Sequence, residues 1–136
     1  MKVTLLGTGT SQGGPVLGCT CEVCKSTDSH DKRLRTSALV ETESTRILID
    51  CGPDFREQML KQPFRKIDGV LITHIHYDHV AGLDDLRPYC RFGDIVIYSE
   101  ENVAKGLHHN MPYCFPDDNQ KGLYPGVPKL NLNSIR

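Results

Sequence analysis

The chain has no excess of charge of either sign: among 136 residues, 16 Lys and Arg stand against 17 Asp and Glu. That balance removes the electrostatic footprint of a protein that tracks extended nucleic acid, so nucleic acid is a disfavoured partner. No apolar run approaches the roughly 18 residues of a membrane span. Met1 to Gly7 is too short in apolar core for a secretion signal and reads as a first strand. Repeats and low-complexity tracts are missing too, and the expectation is a cytoplasmic protein with no membrane partner. Phosphate loops are lacking as well. Gly7-x-Gly9 follows a strand, but Gly13, Gly14 and Pro15 stand where a dinucleotide site needs a helix, and no Gly-Lys-Ser/Thr follows.

What the chain does have is His74-Ile75-His76-Tyr77-Asp78-His79, four metal-ligating side chains in six residues directly after the apolar run Gly69 to Thr73. Imidazole and carboxylate suit zinc, iron or manganese, and four donors exceed what one structural zinc normally draws from so short a segment. In extended backbone residues i and i+2 share a face, so His74 and His76 can close on one ion. Asp78 and His79 follow at the turn and can reach a second. A solvated run of histidines is the bland alternative, disfavoured by the strand-then-loop context.

A second cluster, Cys19-Thr20-Cys21-Glu22-Val23-Cys24, spaces three thiols for a structural zinc. A disulfide reading fits poorly without a secretory start. Cys51, Cys90 and Cys114 are scattered and read as small apolar fillers. The basic run Lys32-Arg33-Leu34-Arg35 reads as a solvated loop edge, with a phosphate-binding arginine as its minority reading.

The order of an apolar strand ending in Asp-x-Gly, Ile47 to Gly52, and then H-x-H-x-D-H resembles the metallo-β-lactamase-fold hydrolases. The resemblance implies an α/β class fold, the four-layer αβ/βα sandwich. It also implies His74 and His76 on one metal, Asp78 and His79 on the other, and Asp50 beneath them orienting an imidazole. Asp50 alternatively reads as a cap for a helix starting at Pro53. The stretch Leu5-Leu6-Gly7-Thr8-Gly9-Thr10-Ser11-Gln12-Gly13-Gly14-Pro15 with its following cysteines is similar to the phosphoribosyl cyclic phosphodiesterase branch. In that branch a histidine near the C-terminus completes the cysteine site; His30, His108 and His109 are weak candidates for that place here.

The resemblance implies a hydrolase that attacks a small phosphodiester, a cyclic ribosyl one included, with water activated between two divalent ions, Zn or Mn. Asp78 doubles as the catalytic proton acceptor, and one structural Zn sits on Cys19, Cys21 and Cys24. A tRNA 3′-end nuclease, a thioester or ester hydrolase of the same fold, and an inactive metal-binding fragment are the alternatives. A homodimer is left open. The sandwich normally needs a longer chain, and no second histidine-acid cluster follows Asp94. Residues 1–136 are therefore expected to be the N-terminal αβ half of one domain, with 110–136 as a lid or a linker to the rest.

Element by element, the pattern predicts a strand over 2–7, then a long loop over 8–33 whose glycines allow a close crossing beside the metal loop. A hairpin follows, Thr36 to Thr42 and Thr45 to Asp50. Next come a helix over Pro53 to Gln62 with Phe55, Met59 and Leu60 inward, and a strand over Gly69 to Thr73. Beyond the ligands the pattern predicts a helix over Ala81 to Phe92, bent or shortened by Pro88, and a strand over Asp94 to Tyr98. A helix capped by Ser99 then runs to about His109, with a further strand within Val127 to Ile135.

Overall fold

The computed structural model describes residues 1–115 and 126–135. Six strands, β1 (Lys2–Gly7), β2 (Ser37–Glu41), β3 (Arg46–Ile49), β4 (Gly69–Leu71), β5 (Ile95–Ser99) and β6 (Leu130–Ser134), form one mixed sheet in sequential order. β1, β2 and β3 pair antiparallel, and β3 to β6 pair parallel. Between the parallel strands lie α2 (Phe55–Leu60), α3 (Tyr77–Val80) with the 3-10 helix Leu83–Phe92, and α4 (Glu101–Asn110); α1 (Glu22–Lys25) is a single turn inside the long loop. Right-handed crossovers that step along a sheet in one direction lay their helices on one face, and the burial follows that rule. Leu39, Leu48, Val70 and Ile97, in register across four strands, are fully buried against Phe55, Leu83, Leu86 and Leu107 from the helices. On the opposite face Val40, Ile47, Ile49, Leu71 and Tyr98 are half-buried, while Val3 and Leu5 are exposed.

Several expectations need correction. The helix expected from Pro53 begins at Phe55, because Asp54 is engaged by Arg35 through both its main-chain N–H and its Nη1 at 2.8 Å. Leu60 is 69% exposed, and the inward place falls to Gln58, which donates Nε2 to the Arg35 carbonyl. The helix expected over Ala81 to Phe92 is instead 3-10 from Leu83 onward. Pro88 has no N–H to return to Asp84, and the Asp84 carbonyl accepts from Arg87 Nε. Ser99 caps nothing: it ends β5, is buried, and leaves its hydroxyl unpaired, with Glu100 standing at the helix start.

The glycine loop makes a close crossing, but against the 33–35 segment rather than the metal loop. A Cβ on Gly7 would lie 1.9 Å from the Arg35 carbonyl oxygen, and Gly14 and Arg33 exchange main-chain bonds. The basic run is accordingly not a simple solvated edge, since Arg35 pairs with Asp54 and also donates to the Ser11 carbonyl. Cys51 and Cys114 are fully buried as expected of fillers, and burial pushes both thiols up, Cys114 to about 12. Cys90 is only half-buried and accepts a hydrogen bond from the Lys129 N–H. The strand expected in 127–135 is β6; of the lid or linker expected over 110–136, residues 116–125 and 136 lie outside those described, while Pro112–Cys114 form a short 3-10 helix and Leu130–Ser134 join the sheet.

Leu48→Ala should cost about 2–5 kcal/mol through lost burial and the cavity left behind, whereas Leu60→Ala should stay within about 0.5 kcal/mol. Urea unfolding of the two variants against the parent checks this, and equal losses would contradict the assignment of the core face.

Candidate metal centre

β3 and β4 run parallel and end side by side, so their carboxyl ends deliver Asp50 and Thr73 to one place. Asp50 has a φ of 58°, left-handed backbone that a non-glycine residue adopts rarely and Asp tolerates better than most. That conformation turns its carboxylate under the ligand segment. There Oδ1 accepts from the Thr73 N–H at 2.8 Å, and Oδ2 lies 2.8 Å from Thr73 Oγ1 and 2.7 Å from His79 Nδ1. Asp50 therefore holds the ligand segment directly, and the capping alternative is not what the structure shows.

These contacts set the tautomers. A carboxylate oxygen accepts, so the Asp50 contact favours a hydrogen on His79 Nδ1; Asp78 Oδ2 faces the other nitrogen, and with an ion between them Nε2 would supply its lone pair. Thr73 has one hydroxyl hydrogen and gives it to Asp50, which leaves its oxygen to accept from His74 Nδ1 at 3.0 Å. His74 thus also offers Nε2. One buried carboxylate orients two imidazoles, one from each half of the H-x-H-x-D-H run, in the way outer partners prepare metal-ligating histidines. Thr73 was not singled out in the sequence, and its place directly before His74 was the available signal.

Main-chain contact fixes the loop from below. The Cys51 N–H donates to the His79 carbonyl and the Gly82 N–H to the Cys51 carbonyl, both at 2.8 Å. A Cβ on Gly52 would sit 2.1 Å from the Asp78 carbonyl oxygen, and one on Gly82 would sit 2.0 Å from that of Gly52. Both positions therefore need glycine. Ile75 points away from the ligands and packs on Gly106 of α4. The extended stretch ends at His76, and α3 begins with Tyr77, so Asp78 and His79 stand in a helical turn rather than in a plain loop. His79 Nε2 lies 3.0 Å from Asp78 Oδ2, and the His74 ring centroid lies 3.9 Å from that of His79 and 4.7 Å from that of His76. The three imidazoles and Asp78 are neighbours, with Asp50 beneath, but among the described residues it is the cysteines, not this segment, that bring three ligand atoms within 4.8 Å of one another; the close donor pair here is His79 Nε2 with Asp78 Oδ2. Two donor atoms about 3 Å apart can share one ion at the usual bond lengths of about 2.0–2.2 Å, so these residues fit a metal.

The cysteines also converge. The sulfurs of Cys19, Cys21 and Cys24 all lie within 4.8 Å of one another, two of the residues exposed and one half-buried. Cys21 caps α1 by accepting from the Cys24 N–H, and Cys24 accepts from the Val16 N–H, each at 3.5 Å. The Cys24 N–H and the Cys19 thiol draw the Cys21 thiol below its ordinary value. Cys24 moves the other way: the Val16 N–H favours its thiolate, but the crowded Cys19 and Cys21 sulfurs outweigh it. Three acids competing for thiolate character is a donor set that a divalent cation relieves. None of the histidines proposed to complete it joins this cluster. His30 pairs with Asp28 at 2.8 Å, and His108, on α4, packs its ring near Phe115.

A family model described as the Beta-lactamase superfamily domain matches residues 45–135, which takes in the Asp50 strand and every H-x-H-x-D-H donor. The chain belongs to this superfamily. Its fold is the metallo-β-lactamase fold, as solved structures show. A diphosphatase from the PhnP family superposes with a TM-score of 0.85 at 38% identity, covering 98% of this chain and 50% of that one. Zn(2+)-bound PqqB from Methylobacterium extorquens superposes with a TM-score of 0.73 at 24% identity, over 98% of this chain and 46% of that one. In sequence, the chain is 48% identical over 137 residues to an octanoyltransferase of Porphyromonas gingivalis, covering all of this chain and 27% of that protein. The superfamily chain thus spans about half, or less, of the relatives it matches. No helix among the described residues is long and apolar enough to cross a membrane.

Two outcomes check the site. With the cysteine cluster already filled, Asp50→Ala and Thr73→Val should each weaken zinc binding about 10- to 100-fold in competition with a chromophoric chelator; unaltered affinity would remove the orienting role. Cys21→Ser should reduce bound zinc by about one ion per chain in elemental analysis while the histidine-bound zinc stays, and an unchanged zinc count would refute the cysteine site.

Proposed function

We propose that the chain carries the metal-binding face of a hydrolase that cleaves a small phosphodiester or diphosphate ester. The observation that carries this is the 3.0 Å approach of His79 Nε2 and Asp78 Oδ2, with His79 Nδ1 already held by Asp50. His74 and His76 would hold one ion, and Asp78 with His79 a second. Bound there, divalent metal supplies Lewis-acid charge for the phosphoryl centre and activates water near neutral pH.

The chain's own residues do the remaining work. Asp50 and Thr73 lock the imidazole tautomers, so no reorganisation is needed when substrate arrives. Asp78, its side chain 14% exposed and held beside His79 Nε2, supplies a carboxylate that can accept a proton from attacking water. Cys19, Cys21 and Cys24 would hold a structural zinc that pins the loop over 8–33. The solved PhnP-family relative is a diphosphatase, which supports phosphorus chemistry over ester or thioester hydrolysis. Octanoyl transfer is not proposed: that name belongs to a protein of which this chain matches 27%, and nothing in the histidine segment suggests an acyl acceptor.

His76→Ala should lower hydrolysis of bis(p-nitrophenyl) phosphate by zinc-loaded protein at least about 100-fold, the scale on which losing a charge-stabilising group acts. Release of p-nitrophenolate measures it, and activity retained in the metal-replete variant would sink the proposal.

A further inference from the structure

Ser37 begins β2 beside the end of β3, and at 2% exposure it is a buried polar residue. It touches none of the proposed ligands. The β2–β3 ladder stops at the pair Ala38 with Ile49, and beyond it Asp50 turns out of the strand into left-handed backbone at a φ of 58°. Its carbonyl leaves the ladder with it. The Ser37 hydroxyl meets that carbonyl instead, with Oγ 2.9 Å from the Asp50 carbonyl oxygen and 3.1 Å from that of Ile49.

Because peptide units are planar, the φ and ψ of a residue are the relative orientation of the two planes that flank it. Both planes around Asp50 are held. The preceding one is fixed by the Asp50 N–H, which donates to the Leu71 carbonyl at 2.8 Å. The following one is gripped on both edges, its Cys51 N–H donating to the His79 carbonyl at 2.8 Å and its carbonyl accepting from Ser37 Oγ. Left-handed backbone at a residue other than glycine persists where its surroundings over-determine it. Without the Ser37 hydroxyl a buried carbonyl loses its donor and that plane is free to turn, taking with it the aim of the carboxylate at Thr73 and His79. We propose that Ser37 is a positioning residue of the metal centre, acting through Asp50. The inference rests on the metal reading of His74 to His79 and carries the chain of orienting contacts one step further, from β3 to β2.

The test is a double-variant cycle on zinc affinity at the histidine site, by chelator competition with the cysteine cluster already filled. Ser37→Ala should weaken binding about tenfold. Asp50→Gly lacks the carboxylate and takes a positive φ unaided, so adding Ser37→Ala to it should change affinity by less than about twofold. Amide exchange on the metal-free chain gives a second readout. The Thr73 N–H, which donates to Asp50 Oδ1, should exchange about tenfold faster in Ser37→Ala while the amides of β5 keep their rates. Parental zinc affinity in Ser37→Ala, the same loss in the Asp50→Gly background, or exchange quickened evenly across the sheet would overturn the proposal. If Ser37→Ala does not fold, Ser37→Thr, which keeps the hydroxyl, should retain parental zinc affinity and Thr73 protection, and a loss of about tenfold in either would equally overturn it. Failure of the metal reading has its own signature: no zinc on the histidines of the parent, with Thr73 exchange still governed by Ser37, removes the metal and keeps the hold of Ser37 on Asp50.

Discussion

The 2.7 Å contact between Asp50 and His79 is the constraint on which the rest of the site depends. It ties the end of β3 to the turn that follows β4, two points 29 residues apart in sequence, and it does so through the atom that decides which nitrogen of the imidazole stays free. Asp50 reaches His74 as well, through the Thr73 hydroxyl. A single buried side chain therefore coordinates the protonation of both halves of the ligand run. That requires Asp50 to sit in left-handed backbone, a local cost that its three acceptor contacts offset.

The candidate site was legible in the sequence as a cluster of ligand-type residues at short spacing behind a strand with a pattern of its own, and the structure sets those residues beside Asp50. The sheet was legible for a related reason. Alternation in Ser37–Glu41 and Arg46–Ile49 matches the observed hairpin because one face of each strand is buried to completion. What the sequence hid are properties that depend on tertiary partners. Arg46 looks like a polar residue on a strand, yet it is buried beside Glu41. Gln58 rather than Leu60 shares the inward face with Phe55 and Met59 because i, i+3 and i+4 align on a helix, and the polar amide is tolerated there because Arg35, distant in sequence, offers it a carbonyl. Ser99 resembles an N-cap, but the sheet claims it first.

The same limit explains Thr73, Gly52 and Gly82. Each is an unremarkable residue in its local stretch, and each matters only through a neighbour brought in by the parallel pairing of β3 and β4. The cysteine cluster is the opposite case, a local motif whose sulfurs converge without help from distant strands. Its fourth donor is a long-range question, and the three histidines offered for it by the sequence all lie elsewhere.

The contacts of Gly52 with Asp78 and of Gly82 with Gly52 join main chain to main chain. At these two glycines no side chain lies between the floor of the site and the turn that bears Asp78 and His79, so neither position can be enlarged in small steps. The core beneath can drift by conservative exchanges among Leu, Ile and Phe without shifting the donors. Such a scaffold keeps the main-chain positions of Asp78 and His79 invariant while its interior remains free to change.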